Sequence, residues 1–267
     1  MIETKPHLRR AGILLLAAGL LAAACGSEAA DDAAAVTTVP DAVDESSAEV
    51  ADTDAAEAID GQSTDAEVSD QSGQTSTFQI DIWADNWMAV YVDGELVGED
   101  SVSITTERSF NAEVFTFEAT YPFTLAIEAK DFKETDSGLE YIGENNQQMG
   151  DGGVIAQVTD TATGEVVAAT DASWATLVVH QAPLNTECED DADPDATCEF
   201  AIIETPSDWT AVDFDDSGWV DATVWSEAAV DPKIGYDDIS WDVTAALVWG
   251  ADLEVDNTVL LRTTISG

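Results

Sequence analysis

Beyond about residue 77 the apolar and polar positions of this chain alternate with the period of two that marks β-strands. Phe78-Gln79-Ile80-Asp81-Ile82, Met88-Ala89-Val90-Tyr91-Val92, Val114-Phe115-Thr116-Phe117-Glu118 and Leu125-Ala126-Ile127-Glu128 each gather apolar side chains on one face. Val259-Leu260-Leu261-Arg262-Thr263 repeats the pattern more loosely. Asp93-Gly94 separates Tyr91-Val92 from Glu95-Leu96-Val97, and that dipeptide suits a tight type I′ turn, so a hairpin is predicted there. Thr163-Gly164-Glu165 predicts a second hairpin, joining Val154–Val158 to Val166–Ala168. Gly150-Asp151-Gly152-Gly153 reads as a turn, since no helix follows it and no phosphate-binding lysine accompanies it. No amphipathic helix of convincing length interrupts the series, so residues 77–267 are predicted to form one all-β domain. All eight Trp and all eight Phe lie between Phe78 and Trp249, which supplies a core.

Before residue 77 the pattern stops. Residues 26–76 are rich in Ala, Asp, Glu, Ser and Thr and contain no Trp, Tyr, Phe, Lys or Arg, too little apolar surface to offset the entropy of ordering. Residues 25–76 are therefore expected to be a disordered acidic linker, spanning roughly 40 Å as a flexible coil and more under self-repulsion. Ahead of it, Lys5, Arg9 and Arg10 form a basic start, Ile13 to Leu21 an apolar run too short to span a bilayer, and Ala22-Ala23-Ala24 a small-residue approach to Cys25. This resembles the leader of bacterial lipoproteins, although Ala22 stands where Leu is more usual and Leu21 lies one step further back. The resemblance implies a signal peptide at 1–24, lipidation at Cys25, a lipid membrane as partner through that anchor, and an exported body outside the cytoplasm.

Charge narrows the choice of partner. The chain carries 55 acidic against 8 basic residues, a formal net charge of −47. Such a surface repels anionic polymers, so nucleic acid is excluded, and it attracts divalent cations. A hydrated carboxylate shell of this kind also suits a salt-adapted surface with no specific ligand behind the charge.

Three segments carry a further resemblance. Ala84–Asp100, ADNWMAVYVDGELVGED, resembles a hairpin that recurs in galactose-binding-like domains, with Asp93 where Asn is commoner. Asp213–Trp225, DFDDSGWVDATVW, is similar to a segment of the sugar-binding jelly rolls that accompany glycoside hydrolases. The closing ALVWGADLEVDNTVLLRTTIS looks like the return strand of such a module. The resemblance implies a jelly-roll-type β-sandwich, galactose-binding-like, and recognition of a glycan; the stretch from Phe132 to Pro206 matches none of it. Trp83 and Trp87 bracket Asp85-Asn86, so the expected ligand residues are Trp83, Asp85, Asn86 and Trp87, rings stacking on a pyranose while the polar pair bonds its hydroxyls. Asp215, Asp216 and Ser217 are expected to cap a turn, with Phe214 and Trp219 inserted into the sandwich.

Cys188 and Cys198 remain once Cys25 is assigned to lipid, an even pair in an oxidising compartment, and a disulfide between them is predicted. A zinc site lacks a second cysteine pair, and His180 is the only histidine outside the leader. Asp191, Asp193 and Asp195 alternate like the start of a calcium loop, but Pro194 interrupts them, Ala196 replaces the required Gly, and no closing Glu follows. The family resemblance adds Asp252 and Asp256, beside Asn257, as candidate Ca²⁺ ligands near a sheet edge. No G-x-S-x-G elbow, H-E-x-x-H helix or Cys/His pair supports catalysis. The expectation is a non-catalytic, surface-anchored binding lipoprotein for a glycan or similar polar polymer. The alternatives are an envelope lipoprotein that docks protein and never meets sugar, and a glycan-degrading enzyme.

Overall fold

The computed structural model of the protein describes residues 73–267. The expected signal peptide at 1–24, Cys25 and the expected linker up to residue 72 lie outside the described residues.

Alternation in the sequence becomes two-faced strands. β1 (Thr75–Asp85), β2 (Trp87–Val92), β3 (Glu95–Glu99), β4 (Ala112–Thr120) and β5 (Phe123–Lys130) follow one another, β1 starting two residues before the expected boundary. A small ladder of β6 (Leu139–Glu140) and β7 (Gln148–Met149) precedes β8 (Gly153–Asp160), β9 (Val166–Ala169) and β10 (Ala175–Gln181). Then come β11 (Ala201–Ile202), β12 (Val220–Asp221), β13 (Thr223–Trp225), β14 (Leu247–Trp249) and β15 (Asp256–Ile265). Helix among the described residues is confined to single turns, including α1 (Pro194–Thr197) and α2 (Glu227–Val230).

A six-stranded sheet runs β13-β14-β8-β1-β4 with β9 also on β8, and a seven-stranded sheet runs β11-β10-β15-β5-β2-β3 with β12 also on β10. Every ladder is antiparallel. One apolar core joins the two sheets: Phe78, Ile80 and Ile82 from β1 share it with Val90, Leu125, Ile127, Val259 and Leu261 from the other sheet. The architecture is an all-β sandwich. Both predicted hairpins form. Asp93 and Gly94 have φ of 49° and 90° between Val92 and its partner Glu95, and β8 pairs with β9 across Gly164.

The closing segment departs from a single return strand. β14 lies in the six-stranded sheet and β15 in the seven-stranded one, so residues 250–255 carry the chain from one layer to the other. Phe214 and Trp219 also sit elsewhere than expected. They cover the outer face of the seven-stranded sheet, packed with Trp209 on Ala126, Val179 and Leu260, because the 203–219 excursion folds back over that face. Asp215 accepts the Ser217 amide at 3.1 Å, as a turn cap should, whereas Asp216 accepts from the buried Arg262.

The disulfide between Cys188 and Cys198 is present, with Cα atoms 5.3 Å apart, and packs on Leu139. Gln147 donates from Nε2 to the carbonyls of Glu189 and Asp191, and the Glu189 carboxylate accepts the Met149 amide, which ties the disulfide loop to the β6–β7 ladder.

Candidate functional site

A cleft of about 610 Å³ opens at the end of the sandwich where β1 finishes and β8 begins, Asp85 pairing with Gly153 across the ladder. Asp81, Trp83 and Asp85 share a parity, so they project from the outer face of the six-stranded sheet while Ile80, Ile82 and Ala84 enter the core. The segment after α2 roofs that outer face: Ile234 accepts the Trp83 indole N–H at 3.0 Å, and Tyr236 meets the Trp83 ring edge-on at 5.6 Å. The β3–β4 loop contributes Glu107, Arg108 and Phe110 to the cleft, and the β6–β7 ladder Glu140, Tyr141 and Met149. Half of the lining comes from the Phe132–Pro206 stretch, which lies outside the three segments that carry the family resemblance.

Of the four expected ligand residues only Asp85 reaches this cleft. Trp83 has no exposed surface, and its ring lies between Phe110 and Tyr236, so it is a core residue and no platform. Asn86 is spent on structure, its Oδ1 accepting the Phe132 amide at 2.5 Å and its Nδ2 donating to the Glu107 carbonyl at 2.9 Å. Trp87 opens β2 in the opposite sheet, with the Lys130 ammonium 4.5 Å from its ring centre.

The calcium candidates do not converge. Among the described residues no three carboxylate, imidazole or thiol side chains stand where they would hold a metal ion. Asp195 accepts from Thr135 at 2.5 Å. Asp252 caps its own turn by accepting the amides of Glu254 and Val255, and Asp256 accepts from Gln181 and from the Asp252 amide.

A buried carboxyl group dominates each wall of the cleft: Asp85, one of the expected ligand residues, and Glu140, which the sequence did not single out. Asp85 is 3% exposed and Glu140 5%. No side chain or amide among the described residues donates a hydrogen bond to the Asp85 carboxyl, and Glu140 receives only Gln148 at 3.3 Å. Burial, joined by the charges of Asp151, Glu140 and Asp231 against the pull of Lys233, pushes Asp85 up to about 8. Burial also lifts Glu140 to about 7, with Asp151, Glu107 and Glu134 adding to the effect and the Gln148 hydrogen bond opposing it. Behind them Asp131 is raised well above the ordinary carboxylate range by complete burial and by Asp85, Glu140 and Asp151. The Gly150 backbone presses so closely on the Asp131 carboxyl that a methyl group there would overlap it. Asp151, more open, is raised by burial while Lys233 pulls it down. At neutral pH this end of the sandwich therefore holds carboxyl groups that retain protons, able to donate as well as accept hydrogen bonds.

Two bases face these acids. Lys233 donates to Asp231 at 3.0 Å and stands 4.0 Å from Asp151, and Arg108 pairs with Glu107 at 3.2 Å. Tyr141, at φ 53°, occupies the left-handed region that a bulky side chain enters only under tertiary constraint. Compared with known protein families, with characterised proteins and with solved structures, the chain matches none.

The signal that marks this cleft in the sequence is the scarcity of bases. Of the five beyond residue 77, namely Arg108, Lys130, Lys133, Lys233 and Arg262, two line it.

Proposed function

We propose that this chain is a surface-anchored, non-catalytic binding lipoprotein, its sandwich a galactose-binding-like jelly roll that takes a glycan or similar polar polymer in the cleft between Asp85, Glu140 and Tyr141. The supporting observation is the cleft itself: it joins buried carboxyls, two bases and the apolar surfaces of Phe110, Met149 and Ile234 around one volume of saccharide size. Carboxyl groups that both donate and accept suit hydroxyls, and flanking rings suit the carbon faces of a sugar. Calorimetric titration of the full chain with neutral polysaccharides tests the reading. Tyr141→Ala and Asp151→Asn are expected to weaken binding at least tenfold, and affinity unchanged in both, or absent throughout, rejects it in favour of a protein-docking role. The anchor is tested apart: Cys25→Ser is expected to move the body from the membrane to the soluble fraction.

One observation favours a second reading, glycan hydrolysis. Asp85 keeps its proton to about 8 beside Glu140 and Asp151, and a general acid in a cleft needs that property. Turnover of labelled polysaccharide that disappears in both Asp85→Asn and Glu140→Gln would establish it.

A further inference from the structure

We infer that the cleft selects an organic cation, an ammonium group carried on a polyol or a short carbon skeleton, with Asp85 and Glu140 as its counter-charges. The inference rests on the reading of the cleft as a binding site and adds the charge of what enters it.

Asp85 is 3% exposed, lines the cleft, and has no hydrogen-bond donor or ion-pair partner among the described residues. A carboxyl group so largely buried and left without a protein partner is costly to ionise, and a ligand that brings a positive charge to its open side offsets that cost. The groups around it come from every neighbouring element: Asp131 after β5, Glu140 on β6, Asp151 before β8, and Asp231 with Lys233 after α2. Lys233 is already engaged with Asp231 and Asp151, and Arg108, its side chain 79% exposed, lies against Glu107. Neither base forms an ion pair with Asp85 or Glu140, which leaves both carboxyls open to a partner from outside.

An anion entering here would meet six lining acids against two bases. A bare divalent metal would need three or more converging ligands, which no group among the described residues offers. An ammonium group needs only one or two carboxylates and open directions for its other bonds, and the surfaces of Phe110, Tyr141 and Met149 can cover its carbon frame. Because Asp85 and Glu140 hold protons near neutrality, a cation must displace them, so affinity should rise with pH, by up to about tenfold per unit for each proton released between pH 6 and 8.

The test compares two tetramers of the same sugar backbone, N-acetylglucosamine and its permanently charged N-trimethylated glucosamine counterpart, with spermidine as an acyclic ammonium. Each is titrated into the full chain at fixed ionic strength from pH 6 to 9. The charged tetramer is expected to bind at least tenfold tighter than the acetylated one. That gap should widen with pH, close in Asp85→Asn and in Glu140→Gln, and persist in Asp215→Asn, an exposed acid of a remote turn. Melting curves of the variants establish that each is folded. Equal binding of the two tetramers overturns the inference and leaves the glycan reading standing, and a gap that survives both cleft variants overturns it as diffuse attraction to an acidic surface. Binding of spermidine alone supports the cation and rejects the glycan. No binding of any probe rejects both.

Discussion

Arg262 and Asp216 stand 46 residues apart in sequence and meet at 2.8 Å, Arg262 donating from Nε to the Asp216 carboxylate. Arg262 is 3% exposed, and its two terminal nitrogens donate to the carbonyls of Trp209 and Ala211. Its guanidinium also lies 5.2 Å from the Phe214 ring centre. One side chain of β15 thus pins the 203–219 excursion to the outer face of the seven-stranded sheet, and two of the segments that carried the sequence resemblance touch through it. A buried guanidinium with every partner in place is tolerated; the partners without it are not.

Arg262→Ala is therefore expected to destabilise the body by about 3 kcal/mol, since it orphans the buried Trp209 carbonyl and the half-buried Ala211 carbonyl and removes packing under Phe214. Asp216→Ala should cost less, about 1 kcal/mol, because Asp216 is partly exposed and Arg262 keeps its carbonyl acceptors. Urea unfolding followed by tryptophan fluorescence measures both. Equal losses would mean that the carboxylate, and not the carbonyl pair, anchors the excursion.

Much of this sandwich is legible in the sequence because the core-facing positions of β1, β4 and β5 are apolar while the positions between them are mostly polar or small. Ile80 and Ile82 announce their strand in that way, and Asp93-Gly94 announces its turn. β10 is silent because both of its faces are covered: Val178 packs into the main core while Leu177 and Val179 pack under the excursion, so Leu177-Val178-Val179 shows no alternation. Trp83 misleads for a related reason. Its parity puts it on an outer face, but Ile234 and Tyr236 roof that face from 150 residues away, a covering that no local pattern encodes. Glu140, Asp131 and Asp151 were hidden by number, since among 55 acids nothing local distinguishes the few that fold under.

Protonation of three buried carboxyls, two of them in the cleft, fixes the direction in which pH acts on stability. Asp85, Glu140 and Asp100 have native values of about 8, about 7 and about 6, against ordinary values of 3.8, 4.5 and 3.8. Between each pair of values the native state binds more protons than the unfolded chain, so stability falls as pH rises. The contribution is complete near pH 4 and lost by about pH 8. A melting temperature higher at pH 5 than at pH 8 is expected. Asp85→Asn should flatten the upper part of that slope and stabilise the protein at pH 8 by on the order of 2 kcal/mol. A slope identical in wild type and variant would show that Asp85 does not titrate in this window.

Reduction of the Cys188–Cys198 bond should lower stability by about 2.5–3 kcal/mol, the chain-entropy value for a loop of this length. The loss should also reach the cleft, because Glu189 in the bridged segment accepts the Met149 amide at 3.1 Å. Hydrogen exchange at Met149 and neighbouring amides, compared between the oxidised protein and Cys188→Ser/Cys198→Ser, measures the coupling. Faster exchange confined to residues 186–198 would show that the disulfide loop folds on its own account and leaves the cleft wall alone.

Salt separates diffuse charge from specific sites. The folded body contains five bases, and the structure commits them locally, Arg262 to Asp216, Lys130 to Glu128, Lys133 to Asp136, Lys233 to Asp231 and Arg108 to Glu107. The remaining carboxylates repel one another more strongly in the compact state than in the expanded chain, so the melting temperature should climb with added monovalent salt. The rise should level off near 1 M, where the Debye length is about 3 Å. Calcium needs converging oxygens to do more than this, whereas the carboxylates of Asp252 and Asp256 already accept backbone amides and Asp195 accepts from Thr135. Millimolar Ca²⁺ is accordingly expected to raise the melting temperature no further than Mg²⁺ at equal ionic strength. A shift specific to Ca²⁺ that vanishes in Asp256→Asn would mean that the 252–256 turn rearranges around the ion, and salt that lowers the melting temperature would remove repulsion as the dominant charge effect.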